Sequence, residues 1–550
     1  MYYKPFLNFN KCAIHSERLK SRFLFICTIF VVSFCAICCR LLVVSVIDRN
    51  EYCCKHGRYS PADEARGEIV DCNGRLLATS IPTVSAYAVP KDMLDINDAV
   101  NKLCLTFKDI DKEKLLKRIK RSRKFVWVKR HLSPLQEQML LGLGIPGIYF
   151  IKTERRVYPC KDLCPHVVGF TDVDNNGISG IEKSMDSYLK NNPNKPLKLS
   201  LDVRVQHAVR TELINSMNKF HAKGAGGLVI NIKTGEIVSL VSLPDFDPNV
   251  VTNPLSKENF NLITNAALEP GSSAKIINTA LALQHGAGIK SSTKFDARFP
   301  IKVGRRVIND YHGKYKFLSV EEILKYSSNI GSVKMVLEVG VNKQKEFFKH
   351  LGLLEPLNFD LGGMQKPIYP KKWSEISGMT ISFGHGIAFN PLQYVSSIAG
   401  LLNDGLYVHP TLLSRKKDAV IPTKRLISSA VSKQLCYLLR IDVLEGGNRK
   451  AEAKGYLVGG KTGTTEKTKN GKYLKDANYT CFLGAFPMTD PEYVVYVVLD
   501  EPQAIKETFG FAAAGWNAAP TVSNIIRKIA NLLNVSKYDG EEINWKLLLT

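Results

Sequence analysis

Across 550 residues this sequence has no internal repeat, no low-complexity tract and no second apolar run to match the one near its N-terminus. The first two absences exclude repeat architectures and extended disorder, and a hydrophobic content of 45% is ample for packed cores. The third limits the chain to a single membrane crossing. Acidic residues are also scarce, 51 against 75 basic, which leaves a formal charge of +24. Such an excess suits nucleic acid, an anionic membrane surface or an acidic polymer. No zinc-finger spacing or other nucleic-acid signature accompanies it. Clusters such as KRIKRSRKFVWVKR (117–130) therefore read as solvated basic surface, and nucleic acid is not an expected partner. The 13 cysteines include no His/Cys group at metal-ligand spacing, so Cys160 and Cys164 are read as structural.

What is present starts with FLFICTIFVVSFCAICC, Phe23 to Cys39, which resumes beyond Arg40 as LLVVSVI. At about 1.5 Å per residue the first part spans roughly 26 Å, close to the thickness of a bilayer core, with Arg40 placed to snorkel to the far interface. Lys4, Lys11, Arg18, Lys20 and Arg22 precede it, so the short tail is expected on the cytoplasmic side. No A-x-A-like cleavage site follows, which favours an uncleaved anchor over a signal peptide. The expected layout is a cytoplasmic tail over 1–22 and a transmembrane anchor over 23–47, with the rest outside the inner membrane.

Beyond the anchor, PADEARGEIVDCNGRLLATS (61–80) alternates around Cys72-Asn73-Gly74, a hairpin signal. NNPNKP (191–196) reads as a connector, and LSLDVRVQHAVRTELINSM (199–217) as a strand leading into an amphipathic helix. GAGGLVINIKTGEIVSLVSLP (224–244) gives two strands about a Lys233-Thr234-Gly235 turn. YTCFLGAFP and YVVYVVLDEP (479–502) give two more, and AAPTVSNIIRKIANLL (518–533) a closing helix. The order is α+β, with antiparallel strands at both ends of the second half.

Chemistry enters at EPGSSAKIINTA (269–280), which opens as a helix. Ser272 and Lys275 stand three residues apart on one helical face, so the amine reaches the hydroxyl. A serine is inert until a neighbouring base takes its proton. Ser273 has Ile276 at that offset, and the spacing selects Ser272. The S-x-x-K pattern is cheap, recurring at Ser216/Lys219, Ser291/Lys294 and Ser414/Lys417. What distinguishes Ser272 is company in order: Ser327-Ser328-Asn329 on a predicted helix, then Lys461-Thr462-Gly463-Thr464 ahead of the last strands. S-x-x-K, S-D-N and K-T-G together mark serine β-lactamases and penicillin-binding proteins. Here Ser328 replaces the Asp, a change expected to matter little because the outer two residues do the work. Lys233-Thr234-Gly235 also spells K-T-G, but it precedes the nucleophile and sits between strands, so it reads as a hairpin turn.

With these elements the chain resembles a class B penicillin-binding protein, closest to the division-specific, FtsI-type branch. RGEIVDCNGRLLA (66–78), RRVYPCKDLCPHVVGFTDVDNNGISGIEK (155–183), EPGSSAK, YSSNIG (326–331), SFGHGIAFNPLQ (382–393) and GKTGT (460–464) follow that family's blocks in order. The second block favours the division branch over the elongation branch. The resemblance implies a penicillin-binding/β-lactamase-like transpeptidase domain over 199–535, an antiparallel sheet with flanking helices. Before it come a mostly β pedestal of the dimerisation type over 48–198 and the single transmembrane helix; a C-terminal tail, 536–550, follows. It further implies that Ser272 attacks the bond between the last two D-alanines of a peptidoglycan stem peptide and that an amine of a neighbouring stem takes the acyl group. Lys275 would be the base, its pKa lowered by burial and by Lys461. Ser327 would relay a proton to the leaving group, and Asn329 would position substrate and Lys275. Lys461, Thr462 and Thr464 would hold the terminal carboxylate. The backbone N–H groups of Ser272 and Thr464 would form the oxyanion hole, and Gly463 would leave room for substrate along the strand edge. No metal or organic cofactor is implied. β-Lactams, a separate glycan polymerase and division-machinery proteins are the implied partners.

His385, flanked by glycines in SFGHG, reads as lining the cleft and not as a base. Other classes share parts of the pattern. A serine β-lactamase or carboxypeptidase has the three motifs, but not the anchor and the long region ahead of the catalytic domain. A penicillin-sensing receptor would carry further spans or a signalling domain. A division scaffold would need no labelling by penicillin.

Overall fold

The structure, a computed structural model, describes residues 9–42, 65–251, 253, 256–304, 306–416, 418–469 and 472–540. The start of the expected tail (1–8), the end of the expected anchor (43–47), the stretch 48–64, Lys417 and the end of the expected C-terminal tail (541–550) lie outside the described residues. The apolar run lies in a helix, Phe9–Leu42, of which the 22 residues Lys20–Leu41 are long and apolar enough to cross a membrane. Phe23, Phe30 and Phe34 are exposed on it, as a lipid-facing helix requires.

Contacts divide the chain into two compact units, one holding 82–154 with the N-terminal segment, the other holding 65–81 and 155 onward. In the first, residues 82–88 pair antiparallel with Val126–Leu132, Val84 standing opposite Leu132 and Tyr87 opposite Trp127. Three helices accompany the strands, each started by a side-chain cap: Ile96–Thr106 on Asp95, Lys112–Arg121 on Asp111, and Pro134–Gly142 on a Ser133/Gln136 capping box. Val100, Leu103, Ile119, Val126, Leu132 and Leu140 are among its buried apolar side chains. In the basic cluster Lys117, Arg118, Lys120, Arg121, Arg123 and Lys124 are exposed.

In the larger unit the hairpin expected at residues 72–74 forms: Ile69 pairs with Ala78, Asp71 Oδ1 accepts from the N–H groups of Asn73 and Arg75, and Gly74 takes φ +84°. Ile69–Val70 also pairs parallel with Leu197–Lys198, directly after the expected connector. Three charged groups are buried nearby: Glu182 receives Arg66 Nε at 2.5 Å and Arg156 Nε at 2.7 Å.

The unit is built on five antiparallel strands: β1 (Gly224–Asn231), β2 (Ile237–Leu243), β3 (Gly459–Lys469), β4 (Lys472–Phe486) and β5 (Tyr493–Asp500). Their spatial order is β3-β4-β5-β1-β2, which leaves β3 at one edge. Strand β5 is buried along Tyr493–Leu499, and its period of two sorts it between two cores. Val494, Tyr496 and Val498 face one cluster, while Tyr493, Val495, Val497 and Leu499 face the other. The second cluster is closed by helices α1 (Val203–Phe220) and α6 (Ala518–Ile529), tied by a Ser216–Thr521 hydroxyl bond of 2.6 Å. The first cluster is covered by α2 (Lys275–His285), α3 (Asn329–Val339), α4 (Pro391–Leu402) and α5 (Ser429–Leu444). Lys233-Thr234-Gly235 is the β1–β2 turn: Gly235 has φ +72°, and a Cβ there would lie 2.5 Å from His409 O.

Candidate active site

Four elements bring the motif residues together. Ser272 sits on a single 3-10 turn, Gly271–Ala274, that runs straight into α2. Lys275 opens that helix with no solvent exposure, and its Nζ lies 2.8 Å from Ser272 Oγ. The same Nζ lies 2.8 Å from Asn329 Oδ1 and 3.3 Å from Ser327 Oγ. Burial first, then the charge of Lys461, holds the Lys275 amine well below the ordinary lysine pKa; Asp310 and Asp442 oppose the shift.

Ser273 is excluded from the cleft by its own bonds. It is fully buried, donates to Pro270 O at 2.7 Å and accepts from Tyr394 OH at 2.9 Å. Ser216 ties two helices far along the chain, and Ser291 lies outside any helix.

The SSN segment is shaped by two devices the motif does not spell. Ser327 holds the left-handed region, φ +55°, which presents its side chain ahead of α3. Ser328 is the N-cap of α3, accepting from Gly331 N at 2.9 Å while donating to Asp310 Oδ2 at 2.7 Å. Asp310 Oδ1 in turn accepts from the N–H groups of Asn329 and Ile330, at 2.5 and 2.9 Å. A carboxylate thus satisfies the donors at the start of a helix and fixes Asn329 over Lys275. Ser328 therefore does more than the sequence reading assigned to it, and Asp310 was not found by that reading at all. Nothing in the loop around it, INDYH, signals the role.

Lys461, Thr462, Gly463 and Thr464 lie on edge strand β3, opposite Leu483, Phe482, Cys481 and Thr480 of β4. Lys461 is 2% exposed, Thr464 is exposed, and Thr464 Oγ1 accepts from Ala514 N at 3.3 Å. The structure gives Gly463 a role other than clearance for substrate. A Cβ there would stand 2.4 Å from Pro270 O and 2.7 Å from Cys481 Sγ, because the Gly271–Ala274 turn packs directly on the strand. Gly271, at φ +54°, meets Thr464 and Thr465 from the other side, and a Cβ on Gly384 would lie 2.1 Å from Gly271 O. The turn is clamped between β3 and the SFGHG loop. Gly463→Ala is accordingly expected to cost about 1–3 kcal/mol of stability and to lower acylation more than tenfold, read by thermal melting and penicillin labelling.

His385 lines this loop, its ring 5.3 Å from Phe383 and 6.2 Å from Tyr473, and its pKa is lowered by burial. No hydrogen bond joins it to Ser272 or Lys275 among the described residues. Cys160 and Cys164 form no disulfide with each other; Cys164 is buried.

Asp442, on α5, is the second residue missed from sequence. Its Oδ2 lies 3.4 Å from Lys461 Nζ and accepts from Asn448 Nδ2 at 2.8 Å. The signal was present: an acid inside the apolar run LLRIDVL has no place on a packed helix face unless a partner waits there.

Comparison with known proteins matches most of the chain. The family described as "Penicillin binding protein transpeptidase domain" matches residues 225–527, and "Penicillin-binding Protein dimerisation domain" matches 61–196. The chain is 34% identical over 495 residues to the probable peptidoglycan D,D-transpeptidase FtsI of Caulobacter vibrioides, covering 88% of this chain and 84% of that protein. It is 28% identical to the peptidoglycan D,D-transpeptidase FtsI of Escherichia coli K12, over 95% of this chain and 93% of that one. Among solved structures, penicillin-binding protein 3 of Mycobacterium tuberculosis, complexed with aztreonam, superposes with a TM-score of 0.67 at 22% identity, covering 86% of this chain and 97% of that one.

Proposed function

This chain belongs to the class B penicillin-binding proteins, in their FtsI-type division branch, and from that premise we propose how its residues carry the reaction. The protein is a membrane-anchored septal peptidoglycan D,D-transpeptidase that also binds β-lactams. Neutral Lys275 Nζ takes the proton of Ser272 as Oγ attacks the carbonyl between the two terminal D-alanines. The C–N bond breaks, the leaving amine receives a proton through Ser327, and the donor stem stays on Ser272 as an ester. An amine of a second stem then attacks that ester, forming the cross-link and returning the proton to Ser272. Asn329 orients the donor amide and Lys275. Lys461, Thr462 and Thr464 hold the terminal carboxylate, with Gly463 between them. The backbone N–H groups of Ser272 and Thr464 stabilise the oxyanion, at about 3–4 kcal/mol per donor.

The observation that carries this reading is Lys275: one fully buried amine touches Ser272, Ser327 and Asn329 at once. We further propose that the tail over 1–22 lies in the cytoplasm, the anchor over 23–47 in the inner membrane, and the pedestal (48–198), transpeptidase domain (199–535) and tail (536–550) in the periplasm. The matched domains are for dimerisation and transpeptidation, which supports a separate glycan polymerase and division proteins as partners.

Purified protein treated with a fluorescent penicillin tests the assignment. Wild type and Ser273→Ala are expected to carry a covalent label that Ser272→Ala lacks. A label that survives in Ser272→Ala but vanishes in Ser273→Ala would overturn it.

A further inference from the structure

Asp442 stands beneath the catalytic strand, and the acylation chemistry above does not use it. Its side chain has no solvent exposure and lies 3.4 Å from Lys461, whose side chain is 2% exposed. Asn448 Nδ2 binds Oδ2, while Oδ1 has no hydrogen-bond partner. Gly446 leaves Oδ1 its space, since a Cβ at that position would lie 2.3 Å away. No other carboxylate pairs with Lys461 among the described residues. Lys275, in contrast, is ringed by the neutral oxygens of Ser272, Ser327 and Asn329. Two buried amines therefore share one neighbourhood with a carboxylate that touches only one of them.

We propose that Asp442 is a positioning residue that divides the protons between the two lysines, holding Lys461 as an ammonium for the substrate carboxylate and leaving Lys275 as a free amine. The proposal rests on the roles assigned above to Lys275 and Lys461. Two ammonium groups in one dry site repel, and the proton stays on the amine that has an anion beside it. Asp310 is the other carboxylate acting on Lys275, but its oxygens are already engaged by the Ser328 hydroxyl and the N–H groups of Asn329 and Ile330. The charged groups near the pair from α2, β3 and the loop that caps α3 are thus Lys275, Lys461 and Asp310. Burial pushes the Asp442 carboxyl up, and the adjacent Lys461 pulls it back down, as expected of a carboxylate whose charge is held by that amine.

The test compares acylation by benzylpenicillin and by its methyl ester across the neutral and alkaline range, in wild type, Asp442→Asn, Asp442→Glu and Asn448→Ala. Asp442→Asn is expected to slow benzylpenicillin roughly 10- to 100-fold at neutral pH and to move the alkaline limb of its profile to lower pH. The ester, which offers Lys461 no anion, is expected to change much less, so the acid-to-ester preference collapses. Asp442→Glu restores part of it, and Asn448→Ala shifts it in the same direction by less. General loosening of the fold would slow both substrates alike and leave the limb in place. A folded Asp442→Asn with the wild-type preference and alkaline limb overturns the proposal. If that variant does not fold, an unchanged preference in Asn448→Ala overturns it. Wild type that is not acylated, or shows no preference for the acid, instead overturns the reading of the site on which the proposal rests.

Discussion

Lys275→Arg is expected to lower penicillin acylation by about 10²- to 10⁴-fold although it keeps a long nitrogen-bearing side chain in place. The reason lies in the hydrogen-bond count at Nζ. A neutral amine has two N–H donors and one lone pair. In that form the donors would serve Asn329 Oδ1, 2.8 Å away, and Ser327 Oγ, 3.3 Å away, leaving the lone pair for the Ser272 hydroxyl at 2.8 Å. A guanidinium has no lone pair to offer and does not deprotonate at working pH. The lysine can, because burial and then Lys461 pull its pKa well below 10.5. Acylation by wild type should accordingly fall as pH drops through that lowered value and Nζ becomes charged. The same shift has a sign for stability. Between the folded and unfolded values the unfolded chain binds the extra proton, so stability rises with pH across that window. Stopped-flow acylation against pH, with circular dichroism to confirm folding, checks both arms. Acylation by Lys275→Arg within tenfold of wild type would sink the role of base.

How far the sequence reaches can be judged at particular residues. The choice of Ser272 over Ser273 followed from helical spacing alone, and the structure adds that Ser273 is sealed by Pro270 O and Tyr394 OH. Strand β5 was legible because an apolar run bounded by turns is how a strand buried on both faces looks. The Lys233-Thr234-Gly235 turn was legible from its position between two such runs. Gly463 was noticed for a reason that differs from the one seen. Its neighbours Pro270 O and Cys481 Sγ lie far off in the chain, and no local pattern announces a backbone approach of that kind. Asp310 escaped for the same cause: it acts on a motif residue through space, 18 residues from Ser328, and local spacing carries no trace of it. Asp442 did leave a local sign, an acid inside an apolar run, but that run does not say which charge it meets. Periodicity reports which face of an element is buried, not which charge it meets there.

The buried triad ahead of the catalytic sheet shows what such a charge meeting is worth. Glu182→Gln is expected to destabilise the larger unit by about 3–5 kcal/mol, because it removes one anion from between two cations. Arg66 and Arg156 both point at Glu182, and the three side chains are at most 1% exposed. Arg66 retains Asp186 at 2.6 Å, which is partly exposed and weaker as a counter-ion. Arg156 retains only neutral acceptors among its described partners, Gly67 O at 2.8 Å foremost. Its guanidinium cannot shed its proton to relieve the cost. The three residues come from RGEIV, ERRVY and GIEKS, so the ion network closes 65–81 and 155–184 into one packed piece. The loss should appear as a lower melting temperature, with acylation of the surviving folded fraction close to wild type because no triad member reaches Ser272. Arg156→Met in the Glu182→Gln background is expected to recover part of the stability, since it removes a cation that no longer has a partner. Glu182→Gln melting with wild type would show that Asp186 and the remaining neutral acceptors satisfy both guanidinium groups, and the triad would then contribute no more than an exposed pair.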